Sequence, residues 1–240
     1  MKISLSDIDK ERFGITVAIA QDIAMDDIEA TEHFCIDNHV EMCITRVATT
    51  NLQVIQKLED IGYRLMDTLV YYAFKFNKKV IPDDTSDHYI RPAQANDAES
   101  VVDIATASFK GYFGHYHADP RLPNEKCDEI YIDWAEKSVR SHEIADAVLV
   151  VENDGQLNGF ATMRQLSEAD GEGVLFGVAP HAQGQGIYRT MMIHGMHWCK
   201  QQGLSRMLVS TQITNIAVQK VWARLGFEMN HGYYTLHKWF

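Results

Sequence analysis

The chain has 240 residues, 46% of them hydrophobic, and a formal net charge of −11. That length allows one large domain or two small ones, and the acidic balance argues against a general nucleic-acid binder, which needs a basic face. No window approaches the roughly 18 consecutive apolar residues of a membrane span, and the polar start of the chain has no apolar leader run, so a cytoplasmic protein with no membrane partner is expected.

Two stretches of the chain resemble one another. Met42-Cys43-Ile44-Thr45-Arg46-Val47 leads through Asn51 to a helix pattern ending at Ile61-Gly62-Tyr63. Arg206-Met207-Leu208-Val209-Ser210-Thr211 leads through Asn215 to a pattern ending at Leu225-Gly226-Phe227. Asn51 to Gly62 and Asn215 to Gly226 have identical spacing, and each copy then reaches an aromatic run, at Tyr71-Tyr72 and at Tyr233-Tyr234. Each unit reads as strand, Asn-capped helix, Gly stop and strand, so the chain carries a degenerate internal repeat. The first copy has no Gly-rich loop and is expected to bind no cofactor, serving packing or the shape of an acceptor cleft.

The polar segment 81–87, with Pro82, reads as a linker. It divides the chain into an N-terminal part, 1–82, and a larger part, 83–240. The second part opens with a strand at 88–91 and a helix capped by Asn96 or Asp97. An aromatic and histidine-rich loop, 109–123, precedes a helix over 125–139. Ala147-Val148-Leu149-Val150-Val151 is a buried strand, and the Asn153-Asp154-Gly155 turn makes a hairpin with a strand over 157–163. A flexible loop is expected at 167–173, then a strand at 174–178. Tyr188, Met191, Met192, Gly195 and Cys199 fall on one helical face. Strand 207–209, helix 216–225 and a last strand or hairpin close the chain.

Cys35, Cys43, Cys127 and Cys199 form no C-x-x-C pair and read as buried thiols. The pairs His194/His197 and His115/His117 lack further ligands at zinc spacing, so no metal is expected.

The segment from Phe176 to Arg189 holds the most chemistry. A strand ends, a Gly-rich turn follows and a helix begins, with its unpaired N–H groups and positive dipole end. Gly184 and Gly186 let a ligand approach the backbone closely, which suits a pyrophosphate. Neither a Gly-Lys-Ser/Thr phosphate loop nor a G-x-G-x-x-G fingerprint is present. The segment Val178-Ala179-Pro180…Gln183-Gly184-Gln185-Gly186-Ile187-Tyr188 resembles the acetyl-CoA loop of the GCN5-related N-acetyltransferase family, with Tyr188 where a final Gly or Ala is usual. Asn215…Gly226-Phe227 resembles the family's second segment, with Trp222 where a tyrosine is expected.

The resemblance covers 88–240 and implies an α/β (α+β) fold of that family: a mixed central sheet flanked by helices, here with a partial, related N-terminal half-domain. It implies an acetyl-CoA site built from Phe176, Gly177, Val178, Gln183, Gly184, Gln185, Gly186, Ile187, Tyr188, Arg189, Asn215 and Trp222. A backbone N–H in 176–178 would polarise the thioester carbonyl. Since an indole is no useful acid, Tyr188, Tyr233, Tyr234 or a water must serve the leaving thiolate. His115 and His117 are the candidates for the base. Arg121 and Lys110 are candidates for acceptor phosphates, and Tyr131 and Trp134 for stacking on a sugar or base. More loosely, the chain resembles acetyltransferases of nucleotide-linked amino sugars. Other readings are acetylation of another small amine or a protein N-terminus, or a non-catalytic acyl-CoA sensor. A homodimer is one assembly open to the chain.

Overall fold

The structure is a computed structural model and describes residues 1–240. The elements run β1 (Lys2–Leu5), α1 (Asp7–Phe13), β2 (Val17–Gln21), α2 (Ile28–Asp37), β3 (Met42–Ala48), α3 (Leu52–Asp60) and β4 (Arg64–Lys75). They continue as β5 (Tyr89–Pro92), α4 (Ala98–Ser108), α5 (Asn124–Arg140), β6 (Ala147–Asn153), β7 (Gln156–Gln165) and β8 (Asp170–Val178). Then come α6 (Ile187–Gln201), β9 (Arg206–Gln212), α7 (Ile216–Leu225) and β10 (Glu228–Trp239).

The local chemistry explains these boundaries. Val148 to Val151 on β6 are all buried, as an uninterrupted apolar run requires. The two-residue turn between β6 and β7 sits inside the Asn153↔Gln156 pair, as Asp-Gly dictates. Helix α6 buries Met191, Met192, Gly195 and Cys199 along one face. Helix α3 buries Val54, Ile55 and Leu58. Residues 167–173 depart from the expectation of a flexible loop: Asp170 to Gly173 are strand, paired to β7 on one side and β9 on the other. Arg206 fixes this end by holding the Asp170 carboxylate.

All ten strands form one sheet, in the order β1-β2-β3-β10-β4-β9-β8-β7-β6-β5. Only β2/β3 and β8/β9 are parallel neighbours. The two repeat units, β3-α3-β4 and β9-α7-β10, have exchanged their last strands. Strand β4 lies against β9, and β10 lies against β3. The two exchanged strands also pair with each other along most of their length. The halves of the sequence therefore share one sheet through its centre.

Helices α2, α3, α6 and α7 cover one face of the sheet. There Ile28, Cys35, Val54 and Leu58 pack on Cys43, Val47 and Leu236. Met192, Met196, Trp222 and Leu225 pack on Phe74, Met207 and Val209. On the other face α4 and α5 cover β6–β8, through Val101, Ile104 and Ala135. Phe13, Tyr116, Leu122 and Cys127 cover β2 and β3 near their starts. Between these two blocks, the middle of β3, β10, β4 and β9 has no helix above it. That bare strip becomes a cleft.

Candidate active site

Two parallel strands, β8 and β9, diverge at the centre of the molecule. Their pairing runs from Asp170↔Arg206 to Gly173↔Val209 and stops. A register shift against β7 between Thr162 and Met163 bends β8 at this point. Beyond it, the Leu175 N–H donates to Thr162 Oγ1 (3.0 Å) and the Ala179 N–H to the Asn158 carbonyl (2.9 Å), both toward β7. By the two-residue period of a strand, the N–H groups of Phe176 and Val178 point the other way, into the gap toward β9. They are unpaired donors aimed at the widening of the V. Ser108 Oγ and Gln183 Nε2 donate to the Val178 carbonyl on the same side, at 2.9 and 3.4 Å.

The chain leaves β8 through Ala179-Pro180 and enters α6 through the Gly loop. Gly184 and Gly186 have φ of +79° and +85°, and nothing lies within 4 Å of where a Cβ would stand. The left-handed backbone requires glycine, and the space above it is open. Gly186 is the N-cap, with no side chain capping the helix. The first backbone bond of α6 runs from the Thr190 N–H to the Gly186 carbonyl, at 3.0 Å. The N–H groups of Ile187, Tyr188 and Arg189 therefore project from the helix end unpaired. Gln185 braces the loop, donating to the His181 carbonyl (3.2 Å), while its own carbonyl lies 2.9 Å from His88 Nε2.

Loop, α6 and α7 enclose a cavity of about 540 Å³, lined among others by Val178, Gly184, Gly186, Tyr188, Ala217 and Val221. One end is polar, with N–H donors, and the rest is apolar wall. These features fit a ligand with a pyrophosphate and a long thin arm, which is the shape of coenzyme A. At the floor, the Trp222 Nε1–H donates to Tyr188 Oη at 2.9 Å. Because the phenol oxygen accepts this bond, its own proton is free to be donated. Burial pushes the Tyr188 phenol up, so it stays protonated at neutral pH. Asn215 caps α7, accepting from the Val218 N–H (3.4 Å) and donating to Thr211 Oγ1 (3.1 Å).

The bare strip on the opposite face carries polar groups. Glu172 stands at the next-to-last rung before the strands part, paired with Leu208. Alternation puts it on the same face as Leu208, Ser210 and Tyr71. Burial raises its carboxyl above the ordinary range, against the pull of Arg164 and Arg46. Asp67, beside Thr235 on β10, has both carboxylate oxygens buried and without a hydrogen-bond partner. Burial raises its carboxyl too. Tyr112 bonds Gln212 at the end of β9.

A relay of buried groups lies under loop 109–123. Asp119 accepts from Trp239 Nε1–H at 2.8 Å and lies 2.9 Å from His237 Nδ1; His237 Nε2 is 2.9 Å from His115 Nδ1. Asp119 can only accept, so His237 donates to it from Nδ1. Burial first, then the nearby His237 and Arg46, hold His115 well below the ordinary histidine value.

Of the sequence-derived donor-site residues, Val178, Gln183, Gly184, Gly186, Ile187, Tyr188 and Arg189 line one cavity, whereas Phe176, Gly177, Gln185, Asn215 and Trp222 lie outside its lining, Trp222 being joined to it through Tyr188. The acceptor candidates are dispersed. His117 is spent on structure, with Asp128 at 3.1 Å and the Gly114 N–H at 3.4 Å. Arg121 lies over the Trp239 ring at 5.2 Å, and Lys110 is exposed. Tyr131 stacks on Phe109 at 4.9 Å inside the core, and Trp134 faces solvent on α5, 36% exposed. Tyr233 does reach the cleft, where it meets Tyr71 edge-on at 5.7 Å. Sequence reasoning missed Glu172, Asp67 and Arg46; the only available signal was charge at alternate positions of otherwise apolar strands. No group of three or more His, Cys, Asp and Glu side chains converges as a metal site would require. No helix is long and apolar enough to cross a membrane.

Comparison with known proteins agrees with this geometry. The family model described as "Acetyltransferase (GNAT) family" matches residues 101–227. The chain is 23% identical over 194 residues to a dTDP-fucosamine acetyltransferase of Escherichia coli O6:H1, covering 80% of each. It is 24% identical over 150 residues to the spore coat polysaccharide biosynthesis protein SpsD of Bacillus subtilis, covering 62% of this chain and 50% of that one. The chain thus spans half the length of that relative. Among solved structures, a GCN5-related N-acetyltransferase from Sphaerobacter thermophilus superposes with a TM-score of 0.67 at 12% identity, over 99% of this chain and 76% of that chain.

Proposed function

We propose that this chain, which belongs to the acetyltransferase (GNAT) family, transfers an acetyl group from acetyl-CoA to the primary amine of a nucleotide-linked amino sugar. The observation that carries the donor half is the unpaired N–H cluster of Ile187, Tyr188 and Arg189 at the mouth of a cavity leading to the gap between β8 and β9. The acceptor half is supported by the relatives' names and by the polar cleft on the opposite face.

The backbone N–H groups of Gly186 to Arg189 hold the pyrophosphate of the donor. The Phe176 and Val178 N–H groups hold the thioester carbonyl and stabilise its oxygen as negative charge develops. Glu172, at the fork of the strands, takes the proton of the incoming ammonium, so that the neutral amine attacks the carbonyl carbon. A raised carboxyl value is what such a base requires near neutral pH. As the carbon–sulfur bond breaks, Tyr188, held by Trp222, donates its proton to the sulfur, and the second proton that the nitrogen sheds in becoming an amide returns through water to the phenolate. The missing tyrosine of the family's second segment is thereby replaced from the Gly loop. Holding two reactants on opposite sides of one gap supplies much of the remaining acceleration.

The test is thiol release from acetyl-CoA with a panel of dTDP- and UDP-linked amino sugars. Release that depends on one such sugar supports the reading. Release only with a polyamine or a peptide N-terminus would replace the acceptor and leave the donor half standing.

A further inference from the structure

A cavity of about 150 Å³ opens in the bare strip, lined by Gln21, Asp22, Arg46, Tyr71 and Tyr233. It holds the space of roughly five waters at their liquid volume, enough for a phosphate or carboxylate group and too little for a nucleotide. All of its walls except Tyr233 come from the N-terminal part, in which the sequence shows no ligand loop.

Arg46 is unlike the other half-buried arginines. Arg12 holds Asp133 (2.7 Å), Arg91 holds Asp97 (2.7 Å), Arg189 lies 3.8 Å from Asp84, and Arg206 holds Asp170. Arg46 forms no ion pair and no side-chain hydrogen bond. Its charge is nevertheless felt across the cleft by Glu172, Asp67, Tyr71 and His115. A half-buried guanidinium with no protein partner leaves a demand open, because its five donors face the cavity and stay accessible to an acceptor brought by a ligand. The tyrosines do not meet it. Tyr71 stacks on His231 at 4.4 Å and meets Tyr233 edge-on, which builds a rigid aromatic wall beside the cation.

Register fixes where this cation stands relative to the chemistry. Arg46 pairs with Thr235 and Gln21. Tyr71 pairs with Ser210, on β9 next to the gap. Arg46 and Glu172 therefore flank one strip of sheet, with Tyr71 between them. A substrate whose anionic group lies at Arg46 would cross Tyr71 and present its other end at Glu172.

We propose that Arg46 is the anchor of the acceptor site, binding an oxyanion of the acceptor, a phosphate or a carboxylate, in the cavity beside Tyr71 and Tyr233. The inference rests on the reading of the cleft as the acceptor side and adds to it the group that is recognised. It also gives the N-terminal part its task, which is to hold the acceptor while the C-terminal part holds the donor. The planar fork of arginine suits two oxygens of such a group at once.

The experiment compares the wild type with Arg46→Gln and Arg46→Lys, with Arg140→Gln as a remote surface control. Each is first titrated with acetyl-CoA by thermal shift, which reports folding and the donor site. Initial rates are then taken on three acceptors: a dTDP-amino sugar, an amino sugar carrying a carboxylate, and a neutral methyl glycoside of the same amine. The expected result for Arg46→Gln is an acceptor KM raised about 10- to 100-fold on an anionic acceptor, the worth of a charged hydrogen bond. Its kcat should stay within about threefold and its rate on the neutral glycoside should be unchanged, with Arg46→Lys in between. The carboxylate and phosphate arms show which oxyanion is used. Equal loss on neutral and anionic acceptors, or no loss on either, overturns the proposal. If the wild type turns over no amino sugar, the acceptor reading fails separately. The anchor is then tested by binding of dTDP to the CoA-saturated protein: binding lost in Arg46→Gln supports it, and no binding or equal binding contradicts it.

Discussion

The proposed base and acid, Glu172 and Tyr188, are single side chains whose proton affinity burial raises. Burial raises the Glu172 carboxyl, so kcat/KM is expected to rise with pH through a value above the ordinary carboxylate range. Glu172→Gln should lower kcat by about 100-fold or more and remove that limb of the profile. The same shift has a consequence for stability. The native state holds this proton more tightly than the unfolded chain does, so Glu172 costs stability as pH rises through its raised value. Glu172→Gln should therefore melt higher than the wild type at alkaline pH and alike at acid pH; a variant less stable at every pH would contradict this. Tyr188→Phe should lower kcat by about 100-fold while acetyl-CoA still shifts the melting temperature. Trp222→Phe keeps the packing and loses the indole donor, so a smaller loss, about 10-fold, is expected. Sequence alone left Tyr188, Tyr233, Tyr234 or a water open as the acid, because several tyrosines have the right chemistry and only the fold shows which lies beside Trp222. Glu172 was hidden because it lies among the glycines and acids of 167–173, which look like a loop. Its position at the fork depends on pairing with β9, more than thirty residues away in sequence.

At the scale of elements, the turn into α6 was legible because its constraint is local. Left-handed φ at Gly184 and Gly186 demands glycine, and glycines are visible in a sequence. Gly186→Ala should cost about 1–2 kcal/mol for the left-handed backbone and weaken acetyl-CoA, since a methyl group then stands in the open space above the loop. Denaturant titration measures the first and the acetyl-CoA KM the second. A variant with unchanged stability and KM would show that the loop does not hold the donor as described. The acceptor candidates of loop 109–123 and α5 were less legible for a complementary reason. Histidines and aromatics in a polar stretch signal chemistry and structure equally well, and only the partners decide. His117 has Asp128 and a backbone N–H, Tyr131 has Phe109, and neither is left over for a ligand.

For the whole molecule, the exchange of β4 and β10 is the feature that local patterns could not reveal. The repeat was readable from the matched Asn-to-Gly spacing, yet nothing in either unit says with which partner its last strand pairs. Because β4 lies between β9 and β10, residues 83–240 alone would leave both edges unpaired at the centre of the sheet. That segment is expected to aggregate or remain unfolded, whereas the full chain should unfold in one calorimetric transition. Two separate transitions, or a well-dispersed NMR spectrum from 83–240, would contradict the shared sheet. The same arrangement sets a cavity on one side of the central gap and a polar cleft on the other, the proposed donor and acceptor sides. The most direct measurement of the central claim is therefore a thermal-shift titration with acetyl-CoA followed by thiol release on the amino-sugar panel. Saturable stabilisation by acetyl-CoA and by CoA is expected, with release only when an amino sugar is present. No stabilisation by either form of CoA would contradict the central claim, whatever the acceptor.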